Sequence, residues 1–338
     1  MVHQFIKDLR DGDTVQQYFV LKRLESRLTR NGEPYLSLLL GDRSGSLKAK
    51  VWSDVLEKYP EPLTAGDYVA VKGRVSSFND ELQISVQAIM TVDRIRQHRK
   101  EVKDLDLSLL IPATAYDRDQ MWQELLNLAE EHVASPLKEL VLALLHRHAE
   151  TFKVCPAARL YHHAYLGGLL EHTWFLARMA VQAIAVYTHL NRSLVVAGVI
   201  LHDLGKIQEI HNPQAPDYSI PGQLLGHIIL GLEMVRDEAR AQNFPDPNLL
   251  LQLEHIIVAH HGYQEYGSPV LPKTREALLV YFLDDLDAKL KMMDQHLEID
   301  RGNRDFTSYN RLLQRQLYKA IEHPETTPAI ISPADDEI

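Results

Sequence analysis

Between residues 35 and 89 apolar and polar residues alternate in short runs, whereas from residue 121 onward apolar residues recur every third or fourth position. The first period is that of strands and the second that of helices. Ser46-Leu-Lys-Ala-Lys-Val-Trp52 alternates without a break. As a strand it sends Leu47, Ala49 and Val51 to one face and Lys48, Lys50 and Trp52 to the other. Tyr35 to Asp42 predicts a preceding strand that ends in the turn Asp42-Arg-Ser-Gly45. Ser53 to Tyr59 predicts a short helix, and residues 66–75 and 81–89 predict two further strands.

Four strands with a helix between the second and third fit the order of an OB-fold barrel, which has five short strands and a helix between the third and fourth. Charged residues cluster from 94 to 103 and predict a connector. Beyond it two apolar helical stripes, Met121/Leu125/Leu128 and Leu137/Leu140/Val141/Leu144/Leu145, are separated by Ser135-Pro136. The helical pattern runs on from Tyr161 to about Ile321, and the Pro-, Thr- and Asp-rich end reads as a flexible tail. The expected fold class is therefore multi-domain, an all-β OB-fold barrel at 1–95 followed by an all-α part. The latter comprises a helical connector at 96–154, a main helical domain at 155–322 and the tail at 323–338.

Composition narrows the class. Hydrophobic residues make up 45% and charged residues 24%, which describes a soluble globular chain. The apolar run Leu194 to Leu201 falls far short of the ~20 residues a membrane helix needs. The opening Met-Val-His-Gln-Phe-Ile-Lys-Asp has no apolar signal core, so the expected location is the cytoplasm. One cysteine, Cys155, excludes internal disulfides and zinc–thiolate chemistry. The net charge of −10 argues against nucleic acid only as a total: residues 1–100 carry 16 Lys+Arg against 13 Asp+Glu, so the acidity lies in the rest.

Five elements of the helical part carry the candidate chemistry: Gly167-Gly-Leu-Leu-Glu-His172, Leu201-His-Asp-Leu-Gly-Lys206, Leu225-Gly-His227, Ala259-His-His-Gly262 and Leu283-Asp-Asp-Leu-Asp287. Imidazole nitrogens and carboxylate oxygens together suit divalent ions. A His-Asp dipeptide alone is common and means little. What makes this set specific is its order, each member set in an apolar helical context. His189, His211, His255 and His296 read as ordinary surface histidines, and His146 and His148 as packing or capping groups.

The ordered pattern resembles the HD superfamily of metal-dependent phosphohydrolases over roughly residues 155–300. With the barrel in front, the chain is similar to the YhaM family of bacterial 3′-to-5′ exoribonucleases, in which an OB-fold precedes an HD domain. Carrying segments include Leu47-Lys-Ala-Lys-Val-Trp52, His162-His-Ala-Tyr-Leu-Gly-Gly-Leu-Leu-Glu-His-Thr173 and His260-His-Gly-Tyr-Gln-Glu-Tyr-Gly-Ser-Pro269. The resemblance implies a metal set of His172, His202, Asp203, His227, His260 and Asp284. His261 could replace or supplement His260, and Asp287 and Asp285 are weaker candidates.

It further implies divalent cations, two in number and manganese by preference, that activate water against the last phosphodiester and release nucleoside 5′-monophosphates. Asp203 and Lys206 are the expected catalytic pair, Lys206 reaching a phosphate oxygen, while Arg159, His162 and His163 are expected to meet phosphate or the terminal sugar. On the barrel, Trp52, Lys48, Lys50 and Tyr35 offer the cationic and aromatic surface that single strands use, with Phe78, Arg27, Arg30 and Lys72 in support.

The expected partner is single-stranded RNA, with single-stranded DNA and a homo-oligomer left open. Two rival readings stand beside it: a phosphohydrolase of nucleotides or other small phosphate esters, and a non-catalytic nucleic-acid-binding protein.

Overall fold

The structure, a computed structural model, describes residues 3–29, 32–58, 62–78, 81–98, 105–159, 163–213, 215–300 and 304–319. Arg30, His162, the Phe78 side chain and the tail at 323–338 fall outside the described residues.

The alternating region forms β1 (Thr14–Leu28), β2 (Pro34–Asp42), β3 (Gly45–Trp52), β4 (Tyr68–Phe78) and β5 (Glu81–Thr91), with α1 (Ser53–Lys58) between the third and fourth strands. They close in the order β1-β2-β3-β5-β4, β1 pairing with both β2 and β4, so the sheet is left without free edges. The alternation holds in detail: Leu47, Ala49 and Val51 are buried in the barrel with Phe19, Leu38, Leu40, Val71, Ile84 and Val86. Each of these side chains larger than alanine contributes ~1.5–3 kcal/mol by leaving water. On the outside, the register sets Tyr35 opposite Trp52 and Ser37 opposite Lys50.

After α2 (Val92–His98) the chain becomes helical: α3 (Arg118–His132), α4 (Leu137–Val154), α5 (Gly168–Val186), α6 (Arg192–Leu201), α7 (Lys206–Glu209), α8 (Ile220–Ala241), α9 (Pro247–Ala259) and α10 (Arg275–Ile299). Side-chain caps start several of them, Asp117 accepting from the Gln120 amide, Asn191 from Leu194, Ser219 from Gly222, and Asp246 from Asn248 and Leu249. Leu125, Leu140, Leu144 and Phe152 of α3 and α4 share one apolar core with Leu170, Leu176, Leu201, Val235, Ile256 and Val280. The stretch read as a connector at 96–154 thus supplies two helices to the core that carries the functional residues.

Three local departures from the sequence reading matter. The helical pattern expected to run on from Tyr161 breaks after Leu201, where α6 ends, and residues 202–205 turn before α7. Close crossing explains the break, because a Cβ on Gly205 would lie 2.0 Å from the His227 carbonyl of α8. A two-stranded hairpin, β6 (Ile210–His211) and β7 (Asp217–Tyr218), then leads into α8, which kinks at Gly226 with φ 73°.

The helical reading also overshoots at its far end. Residues 304–319 form turns and isolated bridges, Phe306 with Tyr318 and Asn310 with Arg315. There the Asn310 side chain accepts from the amides of Leu312 and Leu313, a local alternative that competes with helix.

Candidate metal centre

Five helices deliver their polar side chains to one buried place. His172 comes from the first turns of α5, His202 from the end of α6 with Asp203 beside it, His227 from just past the α8 kink, His260 from the end of α9 and Asp284 from α10. Ligand atoms of His172, His202 and Asp284 all lie within 4.8 Å of one another, and so do those of His227, His260 and His261. Asp203 stands between the two groups. Its Oδ2 is 3.3 Å from His202 Nε2 and 3.6 Å from His172 Nε2, while its Oδ1 is 3.5 Å from His227 Nε2 and 3.7 Å from His260 Nε2.

Every one of these imidazoles is held by Nδ1. Asp287 accepts from His172 at 2.7 Å and Glu209 from His227 at 3.2 Å, while the carbonyls of Val199, Ile257 and Tyr266 accept from His202, His260 and His261 at 2.7, 2.6 and 2.8 Å. An acceptor at Nδ1 puts the proton there and directs Nε2 to the centre. The α6 and α9 pairs use the carbonyl three residues back, so the helix end itself orients the ring.

The centre has the electrostatics of a cation site. Asp203 Oδ1, His227 Nε2 and His260 Nε2 are buried without a hydrogen-bond partner. Leaving such groups unsatisfied costs ~1–3 kcal/mol each, and a divalent cation satisfies all three at once. Burial disfavours the Asp203 carboxylate, but Lys206 and then His202 outweigh it and hold the carboxyl well below its usual range. Burial, then His261 and His202, push His260 far down, so it stays neutral and able to ligate. His172 goes the other way: burial lowers it, but Asp284 and Asp287 prevail and raise it to about 10. The proton held there is the one a cation would displace.

Lys206 is not a free arm. It is buried, with Nζ 2.6 Å from Asp203 Oδ2, a contact that fixes the carboxylate. His163 is wholly buried, its Nε2 2.8 Å from Asp287 and its Nδ1 2.9 Å from the Tyr165 hydroxyl, so it braces Asp287 and has no solvent face for phosphate or sugar. Arg159 is exposed, paired with Asp217 at 3.2 Å and lying over Tyr218. Asp287 supports His172 from behind, and Asp285 is half-buried beside Asp284.

Sequence reasoning passed over Glu209, Tyr165 and Glu171, the last accepting from the Tyr165 hydroxyl at 2.9 Å. Glu209 had a signal, since Asp203, Lys206 and Glu209 recur at intervals of three.

On the barrel, the Tyr35 and Trp52 rings lie 5.3 Å apart, and Lys50 Nζ sits 5.8 Å from the Trp52 centroid and 6.0 Å from that of Tyr35. Lys48 is engaged by Glu81 at 2.5 Å. Tyr35, Lys48, Lys50 and Glu81 border a groove of about 380 Å³ that also includes Arg23, Arg27 and Ser37.

Comparison with known proteins supplies the context. A family model described as HD domain matches residues 169–289, one described as OB-fold nucleic acid binding domain matches 20–92, and a helicase model matches 114–191, stopping short of His202. The 3′-5′ exoribonuclease YhaM of Bacillus subtilis is 30% identical over 316 residues, 92% of this chain and 96% of the relative. The protein of the same name from Listeria innocua is 33% identical over 291 residues, 86% of this chain and 90% of the relative.

Proposed function

Since the chain belongs to the YhaM family of 3′-5′ exoribonucleases, we propose that it shortens single-stranded RNA from the 3′ end, releasing nucleoside 5′-monophosphates. The reaction is placed at the centre formed by His172, His202, Asp203, His227, His260 and Asp284. The observation that carries this reading is the division of Asp203, one oxygen toward each histidine group, with its Oδ1 and two Nε2 atoms buried and unpartnered.

The donor set fits two divalent cations. His172, His202 and Asp284 would hold one, His227 and His260 with support from His261 the other, and Asp203 both. Nitrogen-rich ligation favours manganese over magnesium. When bound, such cations supply the Lewis acidity that activates water and neutralises phosphate charge.

The chain's own groups do the rest. Nδ1 tethers keep each Nε2 aimed before anything binds, which limits reorganisation at the moment of reaction. Lys206 holds Asp203 ionised and in place. The barrel face of Tyr35, Trp52 and Lys50 gives bases a stacking surface beside a cation, which tethers a strand without reading its sequence. Single-stranded DNA suits the same surface. The cytoplasm suits a chain with a single thiol and, among the described residues, no helix long and apolar enough to cross a membrane.

The test is a 5′-labelled oligoribonucleotide incubated with the protein and manganese. A ladder that shortens from the 3′ end is the expected result, with Asp203→Ala inert. An intact oligonucleotide alongside hydrolysis of free nucleotides overturns the reading in favour of a small-ester phosphohydrolase.

A further inference from the structure

The loop that follows His260 and His261 is tied down along its whole length. His261 Nδ1 donates to the Tyr266 carbonyl at 2.8 Å, and the amides of Tyr263, Tyr266 and Gly267 bond back to His261, Tyr263 and Gln264. Ser268, 2% exposed, bonds through its hydroxyl to the carbonyls of Val258 and Val270. Gly262, at φ 76°, lets the backbone press on Tyr281, whose ring a Cβ would approach to 2.3 Å.

A loop so fastened can tuck large rings away, yet this one presents two. Tyr263 is 49% exposed and Tyr266 61%. Their rings stand 6.1 Å apart at 88°, forming a corner, and Tyr263 is braced edge-on by Tyr281 at 5.9 Å. Tyr281 belongs to α10 one turn before Asp284, and Tyr266 holds His261, whose ring lies 4.3 Å from that of His260. The corner is therefore tied directly to His261 on one side of the centre and, through Tyr281 and one turn of α10, to Asp284 on the other.

We propose that Tyr263 and Tyr266 receive the 3′-terminal base of the strand, stacking against it so that the last phosphodiester meets the metal centre. The inference rests on the exoribonuclease reading and adds to it the residues that hold the end being cut. Aromatic faces suit this task because every base has a π face, so the grip does not depend on sequence. Fastening the loop to His261 keeps base and metal ligands in one frame, which is what positions a reacting phosphate.

Steady-state degradation of a 5′-labelled oligoribonucleotide with manganese tests it. Tyr263→Ala and Tyr266→Ala should each raise KM about tenfold, and Tyr263→Phe and Tyr266→Phe should restore it. The same assay on a strand whose terminal nucleotide lacks its base provides the control. There the wild-type KM should already be raised and the alanine variants should add nothing to it. Alanine variants with wild-type KM, or with the same relative loss on both strands, overturn the proposal while a wild-type ladder keeps the exoribonuclease reading. A wild-type protein that leaves the oligonucleotide intact overturns that reading and this inference with it.

Discussion

Glu209 grips His227 twice, accepting from its backbone amide at 3.0 Å and from its ring Nδ1 at 3.2 Å. The carboxylate thus sets both where the α8 kink presents the residue and which ring nitrogen carries the proton. His227 draws the Glu209 carboxyl below its usual range although burial opposes the charge. A carboxylate behind a ligating histidine typically changes metal affinity by ~10–100-fold when removed. Glu209→Ala should weaken manganese binding by that factor in calorimetric titration, with unchanged helicity in circular dichroism. Glu209→Gln, which keeps an acceptor for the amide, should lose less. Wild-type affinity in both variants would leave Glu209 without a role at the centre.

Asp287 does the corresponding work for His172 and carries more load, because its Oδ2 also accepts from His163. The two imidazoles pull its carboxyl down against the effect of burial. Asp287→Ala strands two buried rings, a loss of ~3 kcal/mol or more by the usual cost of removing one partner from a buried pair. Urea melts of the metal-free protein should show the midpoint falling accordingly. A midpoint within error of the wild type would sink the claim that the network is structural as well as orienting.

Gly262→Ala should be costly at a position where a methyl group looks harmless. The added carbon meets the Tyr281 ring at 2.3 Å and the backbone sits at φ 76°, a conformation that costs a non-glycine residue ~1–3 kcal/mol. A thermal melt measures the destabilisation. RNA shortening should fall as well, since the loop holding His261 must shift.

Cys155 supplies a check on the core. The thiol is 2% exposed, and burial pushes it up to about 12 although Lys206 works the other way. The folded value lies above the unfolded one, so its contribution to stability is complete below the ordinary thiol range and declines as pH rises beyond it. Going from pH 8 to pH 10 crosses the ordinary range without reaching the folded value. Alkylation by iodoacetamide should therefore stay slow across that window and become fast only on unfolding. Rapid labelling of folded protein at pH 10 contradicts the burial.

The barrel was legible because period-two alternation in β2 to β5 maps directly onto inside and outside, as Leu47 and Lys48 illustrate. The centre was legible because an ordered set of histidines and aspartates survives in one dimension. What escaped depends on distance in the chain or on crossing geometry. His163 meets Asp287 across 124 residues, which no local pattern encodes. The buried contact of Lys206 with Asp203 likewise depends on how the turn at 202–205 closes, not on the three-residue spacing alone. The turn at 202–205 follows from α8 crossing at Gly205, a packing event invisible to periodicity. Residues 304–319 kept helical spacing but lost the contest to Asn310 and its turn.

The placement of Asp203 has a thermodynamic consequence. A carboxylate with one oxygen on each side couples the two sides, since whatever fixes its orientation for one cation also prepares it for the second. Under the two-cation reading, loading should be cooperative, and activity should rise more steeply than linearly with manganese concentration. The same linkage means that neither half of the centre can drift independently under mutation. A change that spoils one lobe is felt in the affinity of the other.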